Sequence, residues 1–153
     1  MPVTLEQVLR VLSADEPDYA SAARLGVNAL PHLQVLANGP DVGLAAKAVH
    51  LASLIGGNIS SDVIADAAQH TNPILRIVAA ASLNSIAADR FADTAVRLIS
   101  DQDRAVRQRA LNSLPEAISQ DLRDRLEQLA DALPEGPHRS EVVKVIKRSP
   151  YAS

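Results

Sequence analysis

A chain of 153 residues has room for one domain with a substantial core, or for a short array of repeats. Apolar residues make up 47% of it but aromatic ones only 2%, so its bulk is Ala, Leu, Val and Ile, which excludes disorder and argues for packed helices over a β fold. A net charge of −3 predicts no general attraction to nucleic acid or anionic membranes, and the absence of cysteine excludes a disulfide framework, a thiolate nucleophile and a Cys-ligated zinc.

The charge is uneven. Residues 1–75 hold three Lys/Arg against seven Asp/Glu, while 76–153 hold twelve against eleven, a heavily charged but balanced half of the kind solvated helix faces show. The start, Met1-Pro2-Val3-Thr4-Leu5-Glu6, has no basic stretch leading into an apolar run, and no uninterrupted apolar run approaches the ~20 residues of a membrane helix. The expectation is a cytoplasmic protein without a membrane association.

In chain order, Thr4 through Gln7 form a capping-box candidate that opens a helix over 4–13 with the stripe Leu5, Val8, Leu9 and Leu12. A second helix is expected over 19–37, kinked at Pro31. Then three segments align without gaps, beginning at Asp41, Asn72 and Asp103. Leu44, Leu75 and Val106 recur every 31 residues, and Ala48, Ala79 and Ala110 keep the same step. A fixed period of this size marks a solenoid of helix pairs. Asp41, Asn72 and Asp103 stand where N-cap oxygens satisfy free amides, and Pro73 stands at a first helical position where a missing N–H costs nothing. The stripe Leu44, Ala48, Leu51, Ala52 and Ile55 gives one apolar face, and its central alanine lets a neighbouring helix approach closely. Gly56 and Gly57 end that helix.

The partner helices are expected at 19–37, 62–70 and 90–100, with a more divergent fourth unit pairing 121–133 and 140–148 across the turn from Pro134 to Pro137. The whole, 1–153, reads as a single all-α domain: a capping helix at 4–13 and repeats over about 18–57, 60–88, 89–118 and 119–148. The helices starting near 41, 72 and 103 should stack in parallel as one layer, with their caps along one edge. The last helix carries Val142, Val143, Val145 and Ile146, more apolar groups than one stripe uses. Part of that surface is expected to be exposed or covered by Tyr151 or a second chain, which suggests self-association.

With the repeat laid out, the sequence resembles the HEAT and HEAT-like (PBS-lyase-type) repeat family. The residues that carry the likeness are Asp103, Val106, Arg107, Ala110, Ser113 and Leu114, and in the preceding unit Leu75, Arg76, Ala79, Leu83 and Ile86. Leu30, Pro31, Leu33 and Leu36, followed by Pro40, Asp41, Leu44, Ile55 and Gly56, look like a third copy. The likeness covers about 19–120 well and 121–148 loosely, and Ala45 replaces the usual arginine of the first unit. It implies an α-solenoid of about four helix pairs. Members of the family are mainly protein-binding scaffolds; some are subunits of phycobilin lyases, and some HEAT-like proteins bind or repair DNA.

Arg76 and Arg107 occupy equivalent places, each four residues after its N-cap. As phosphate contacts they would line a nucleic-acid groove; as bonds to Asp or carbonyl groups at the turns they would form a ladder along the array, and the second reading is favoured. The other basic residues are interleaved with acids, except Lys144, Lys147 and Arg148, and the chain offers no aromatic platform for stacking bases. His32, His50, His70 and His138 are scattered, so no metal site and no cofactor are expected. Ser60-Ser61-Asp62 and Ser119 fall at expected helix starts, where capping explains them, and no nucleophile, base and oxyanion site assembles.

The expectation is therefore a protein that is not an enzyme, an interaction scaffold presenting a solenoid face to a protein partner. The alternatives are a HEAT-like DNA-binding or DNA-repair protein, or a lyase-type enzyme subunit. Off the core stripe, the middle repeat has Ile77, Val78 and Ala81 where its neighbours carry Lys47, His50, Gln108, Arg109 and Asn112. An apolar spot with a polar and basic rim is the composition of a partner-binding surface. Ile77 is expected to be exposed; Val78 is either exposed or wedged between repeats.

Overall fold

The computed structural model describes residues 2–148. Among them the chain is helical throughout, with no strand: α1 Leu5–Leu12, α2 Tyr19–Ala22, α3 Leu30–Ala37, α4 Val42–Ile55, α5 Asn58–Ala67, α6 Pro73–Ala81, α7 Ala88–Ile99, α8 Arg104–Asn112, α9 Gln120–Ala132 and α10 Pro137–Arg148. The α4, α6 and α8 helices pack one on the next to make one layer. A second layer is built from α3 and α5 in contact and α7 and α9 in contact, each followed in the chain by its partner in the first layer. This is an all-α solenoid.

Local chemistry explains the boundaries. Thr4 and Gln7 form the reciprocal capping box, with the Gln7 N–H donating to Thr4 Oγ1 at 3.2 Å and the Thr4 N–H donating to Gln7 Oε1 at 2.8 Å. Asp41, Asn72 and Asp103 are the N-caps of α4, α6 and α8 and accept from Leu44, Ile74 and Ala105. Ala48, Ala79 and Ala110 are each fully buried, so the central alanine of every stripe lies inside the packed layers.

The expected continuous helix over 19–37 is instead broken at Gly26, whose φ of 72° with ψ of −166° is a combination open essentially to glycine alone. Two 3-10 turns flank the break, Ala23–Leu25 and Val27–Ala29, and Pro31 lies within the first turn of α3, where it disturbs nothing. α5 starts at Asn58, earlier than expected, because Gly57 with φ of 98° serves as the cap position directly after Gly56 has closed α4. Likewise α10 begins at Pro137, using proline as its first helical residue.

Two serines read as caps are interior hydroxyls. Ser60 and Ser61 lie buried inside α5: Ser60 Oγ donates to the Ala52 carbonyl at 2.6 Å, and Ser61 Oγ accepts the Ala87 N–H at 2.9 Å. They tie α5 back to α4 and forward to the entry of α7. Asp62 pairs with Arg90 across the same gap. Ser119 is a cap, accepting from Leu122.

In the C-terminal helix Val142 and Val145 are buried, while Val143 and Ile146 pack against the core and stay partly exposed. This helix packs along α9, and the buried Arg123 of α9 donates to the Ile146 carbonyl at 3.0 Å, holding it down. Tyr151, named as a possible cover, lies outside the described residues. No helix among the described residues is long and apolar enough to cross a membrane.

Candidate functional site

Arg76 and Arg107 are structural. Arg76 Nη1 donates to the carbonyls of His70 and Thr71, each at 2.9 Å, and its other edge grips Asp101 of the next repeat. Arg107 repeats the first half of that pattern, Nη1 donating to the Asp101 and Gln102 carbonyls at 3.0 and 3.2 Å. Its Nε is buried and unbonded. The turn after α7 runs Ser100 to Asp103; the corresponding turn after α9 runs Leu133 to Gly136, so Pro134 stands where Asp101 does and offers no carboxylate. In the first unit the arginine itself is missing at Ala45. Among the described residues the ladder has one complete rung, Arg76 to Asp101.

The four histidines take separate roles. His32 Nε2 bonds the Val3 carbonyl at 2.8 Å and His138 Nε2 the Ile99 carbonyl at 2.7 Å, while His70 Nδ1 accepts the Asn72 N–H. His50 stands edge-on to Tyr19, with ring centroids 4.5 Å apart and an interplanar angle of 88°.

The surface residues chosen from the helical wheel divide between two neighbouring grooves. Lys47, His50, Ile77, Val78, Ala81 and Arg109 line one shallow groove of about 500 Å³ across α4, α6 and α8. Gln108 and Asn112 do not reach it; they face a cleft between α8 and α10, where the Gln108 amide donates to Glu141. Ile77 is half-buried rather than exposed, and Val78 is half-buried as well, because both rest against the packed layer beneath them. Ala81 and His50 are exposed.

Lys47 is committed within the fold. Its ammonium donates to the Leu12 and Ala14 carbonyls at 3.2 and 2.8 Å, capping the end of α1. The Arg109 guanidinium, in contrast, has no ion pair or hydrogen bond among the described residues.

Two further residues complete the wall: Ala46, and Tyr19 from α2. Tyr19 was invisible to the 31-residue alignment because it belongs to the first, irregular helix, and only the scarcity of rings in the chain could have flagged it. Burial pushes its phenol above the ordinary tyrosine value. The groove thus has an aromatic end, an aliphatic floor and a basic end. It holds no assembled nucleophile and base, so its chemistry is that of a binding surface.

No family model and no curated protein matches the sequence. Among solved structures, one of the complex of CpcE and CpcF of phycocyanin lyase from Nostoc sp. PCC7120 matches over 92% of this chain and 96% of that chain, with a TM-score of 0.64 and 19% sequence identity. The likeness is one of fold, a HEAT-like all-α solenoid.

This likeness corrects one expectation. A chain with no internal nucleophile, base and oxyanion site was read as not an enzyme, yet the HEAT-like solenoid that matches it nearly end to end belongs to a lyase complex.

Proposed function

We propose that this HEAT-like solenoid is a lyase-type enzyme subunit that works with a second protein, seating that partner in the groove lined by Tyr19, His50, Ile77, Val78, Ala81 and Arg109. The observation that carries the reading is the match along nearly the full length of both chains to a lyase built as a complex of two proteins. The groove supports it independently. It joins half-buried aliphatic groups to an aromatic ring and an unpaired guanidinium on a rigid layer, the mix that partner-binding surfaces concentrate at their centres. A cytoplasmic setting suits a cysteine-free chain of this kind.

The test is to isolate the full chain with the protein that binds it in fixed stoichiometry, and to assay the reconstituted pair for lyase activity on phycocyanin. The pair should be active where neither chain alone is. Ile77→Asp should release the partner and abolish activity while the circular dichroism spectrum stays helical. A pair that leaves phycocyanin unchanged, or a partner held equally by the Ile77→Asp chain, refutes the proposal.

A further inference from the structure

A second cleft lies on the far side of α8. Its volume is about 520 Å³, and its floor is apolar and buried, formed by Leu111 of α8 and Val145 of α10. On its wall stand Lys144 and Arg148, four residues apart on α10 and therefore one turn apart on the same face, with Cβ atoms about 5–6 Å from each other. Both are exposed, and neither has an ion pair or hydrogen bond from its side chain among the described residues. The one acid of the cleft, Glu141, is held by the Gln108 amide. Arg109, just across the α8 ridge in the first groove, is equally unpaired.

This distribution runs against the composition of the chain. The protein carries a net charge of −3, and on its other layer Arg90 pairs with Asp62 and Arg125 with Asp93 and Asp121, with Arg97 of α7 the exception among the described residues. On the α6–α8–α10 face, by contrast, three unpaired cations meet one acid, and they flank an aliphatic floor. Unpaired like charges beside an apolar surface raise the local potential and select a partner of opposite sign.

We infer that the partner segment recognised here is an acidic amphipathic helix, its apolar side seated on Ile77, Val78 and Ala81 and its carboxylates reaching Arg109, Lys144 and Arg148. The inference rests on the groove being the partner's seat and adds the chemistry of the occupant. A helix about 10–12 Å across fits a shallow groove with a ridge, and acids one turn apart on it match the one-turn spacing of Lys144 and Arg148. Nucleic acid fits less well: three cations make few phosphate contacts, and the aliphatic floor has nothing to offer a sugar–phosphate backbone.

The experiment uses fluorescence anisotropy with the full chain and a labelled amphipathic peptide of about five helical turns, Leu on one side and Glu on the other. Analogues with Gln or Lys in place of Glu, and a short DNA duplex, serve as comparisons. The Glu peptide should bind at least about tenfold more tightly than the Gln analogue at low salt and lose that margin at high salt. Lys144→Glu/Arg148→Glu should cancel or invert the preference, and Ile77→Asp should weaken the uncharged Gln peptide as well as the Glu peptide. Equal binding of the Glu and Gln peptides overturns the inference, as does a double variant without effect or duplex binding that ignores Ile77→Asp. If the charge reversal changes nothing but Ile77→Asp still releases the native partner, the acidic helix is wrong and the groove stands. If Ile77→Asp releases neither peptide nor partner, the groove itself is wrong.

Discussion

The Arg76 guanidinium and the Asp101 carboxylate meet edge to edge across two repeats, Nε to Oδ2 at 2.8 Å and Nη2 to Oδ1 at 3.2 Å. Asp101 also accepts the Asp103 N–H at 2.9 Å, so one carboxylate fastens the start of α6 and orders the turn that begins α8. Both side chains are about nine-tenths buried. Removing one partner of such a pair leaves the other charged and desolvated, which costs far more than the pair contributes against an apolar replacement.

Asp101→Ala should therefore lower stability by about 3–5 kcal/mol in urea titration. Arg107→Ala, which breaks bonds to two carbonyls but leaves no stranded charge behind, should cost about 1–2 kcal/mol. An Arg107→Ala effect equal to that of Asp101→Ala would show that Arg107 has an acidic partner after all.

The two buried serines of α5 should differ. Ser61→Ala leaves the Ala87 N–H without its acceptor and should cost about 1–3 kcal/mol. Ser60→Ala leaves the Ala52 carbonyl still accepting the Gly56 N–H at 3.1 Å, so its effect should stay below about 1 kcal/mol. Thermal denaturation of the two single variants settles the order.

Lys47 should act on α1 alone. Lys47→Met keeps the apolar stem but removes the donor to the Leu12 and Ala14 carbonyls, so hydrogen exchange should speed up in α1 and the 13–16 segment. Exchange in α6 and α8 should be unchanged. Faster exchange across the whole array would mean that Lys47 supports the global fold.

Tyr19 supplies a pH test of the groove. Its phenol titrates above the ordinary value of 10.0 because burial disfavours the phenolate. A raised folded-state value means the contribution to stability is fully present below the unfolded value and is lost as pH rises through the folded one. In a Tyr151→Phe chain, where Tyr19 is the remaining phenol, ultraviolet titration should give a midpoint above 10.0 that falls back to it in denaturant. A midpoint identical in both conditions would place Tyr19 outside the groove wall.

The repeat is legible in the sequence alone. The 31-residue recurrence of Leu44, Leu75 and Val106 follows from a helix pair that cannot bury its apolar stripe alone, so periodicity, caps and central alanines all repeat together. The same wheel placed Lys47, His50, Ile77, Val78, Ala81 and Arg109 off the core stripe, on one face. Only the tertiary structure decided what those residues do. That Lys47 spends its charge on α1, that Tyr19 closes the groove, and that Gln108 and Asn112 turn to α10 depend on elements outside the repeat register. Pro134, where the ladder needed an acid, shows the same limit: the turn's register is set by the caps of α9 and α10, and a fixed step along the sequence points elsewhere. Periodicity reports which residues share a face, because helix geometry is local; which side chains then find partners depends on distances between helices, and those exist only once the layers have packed.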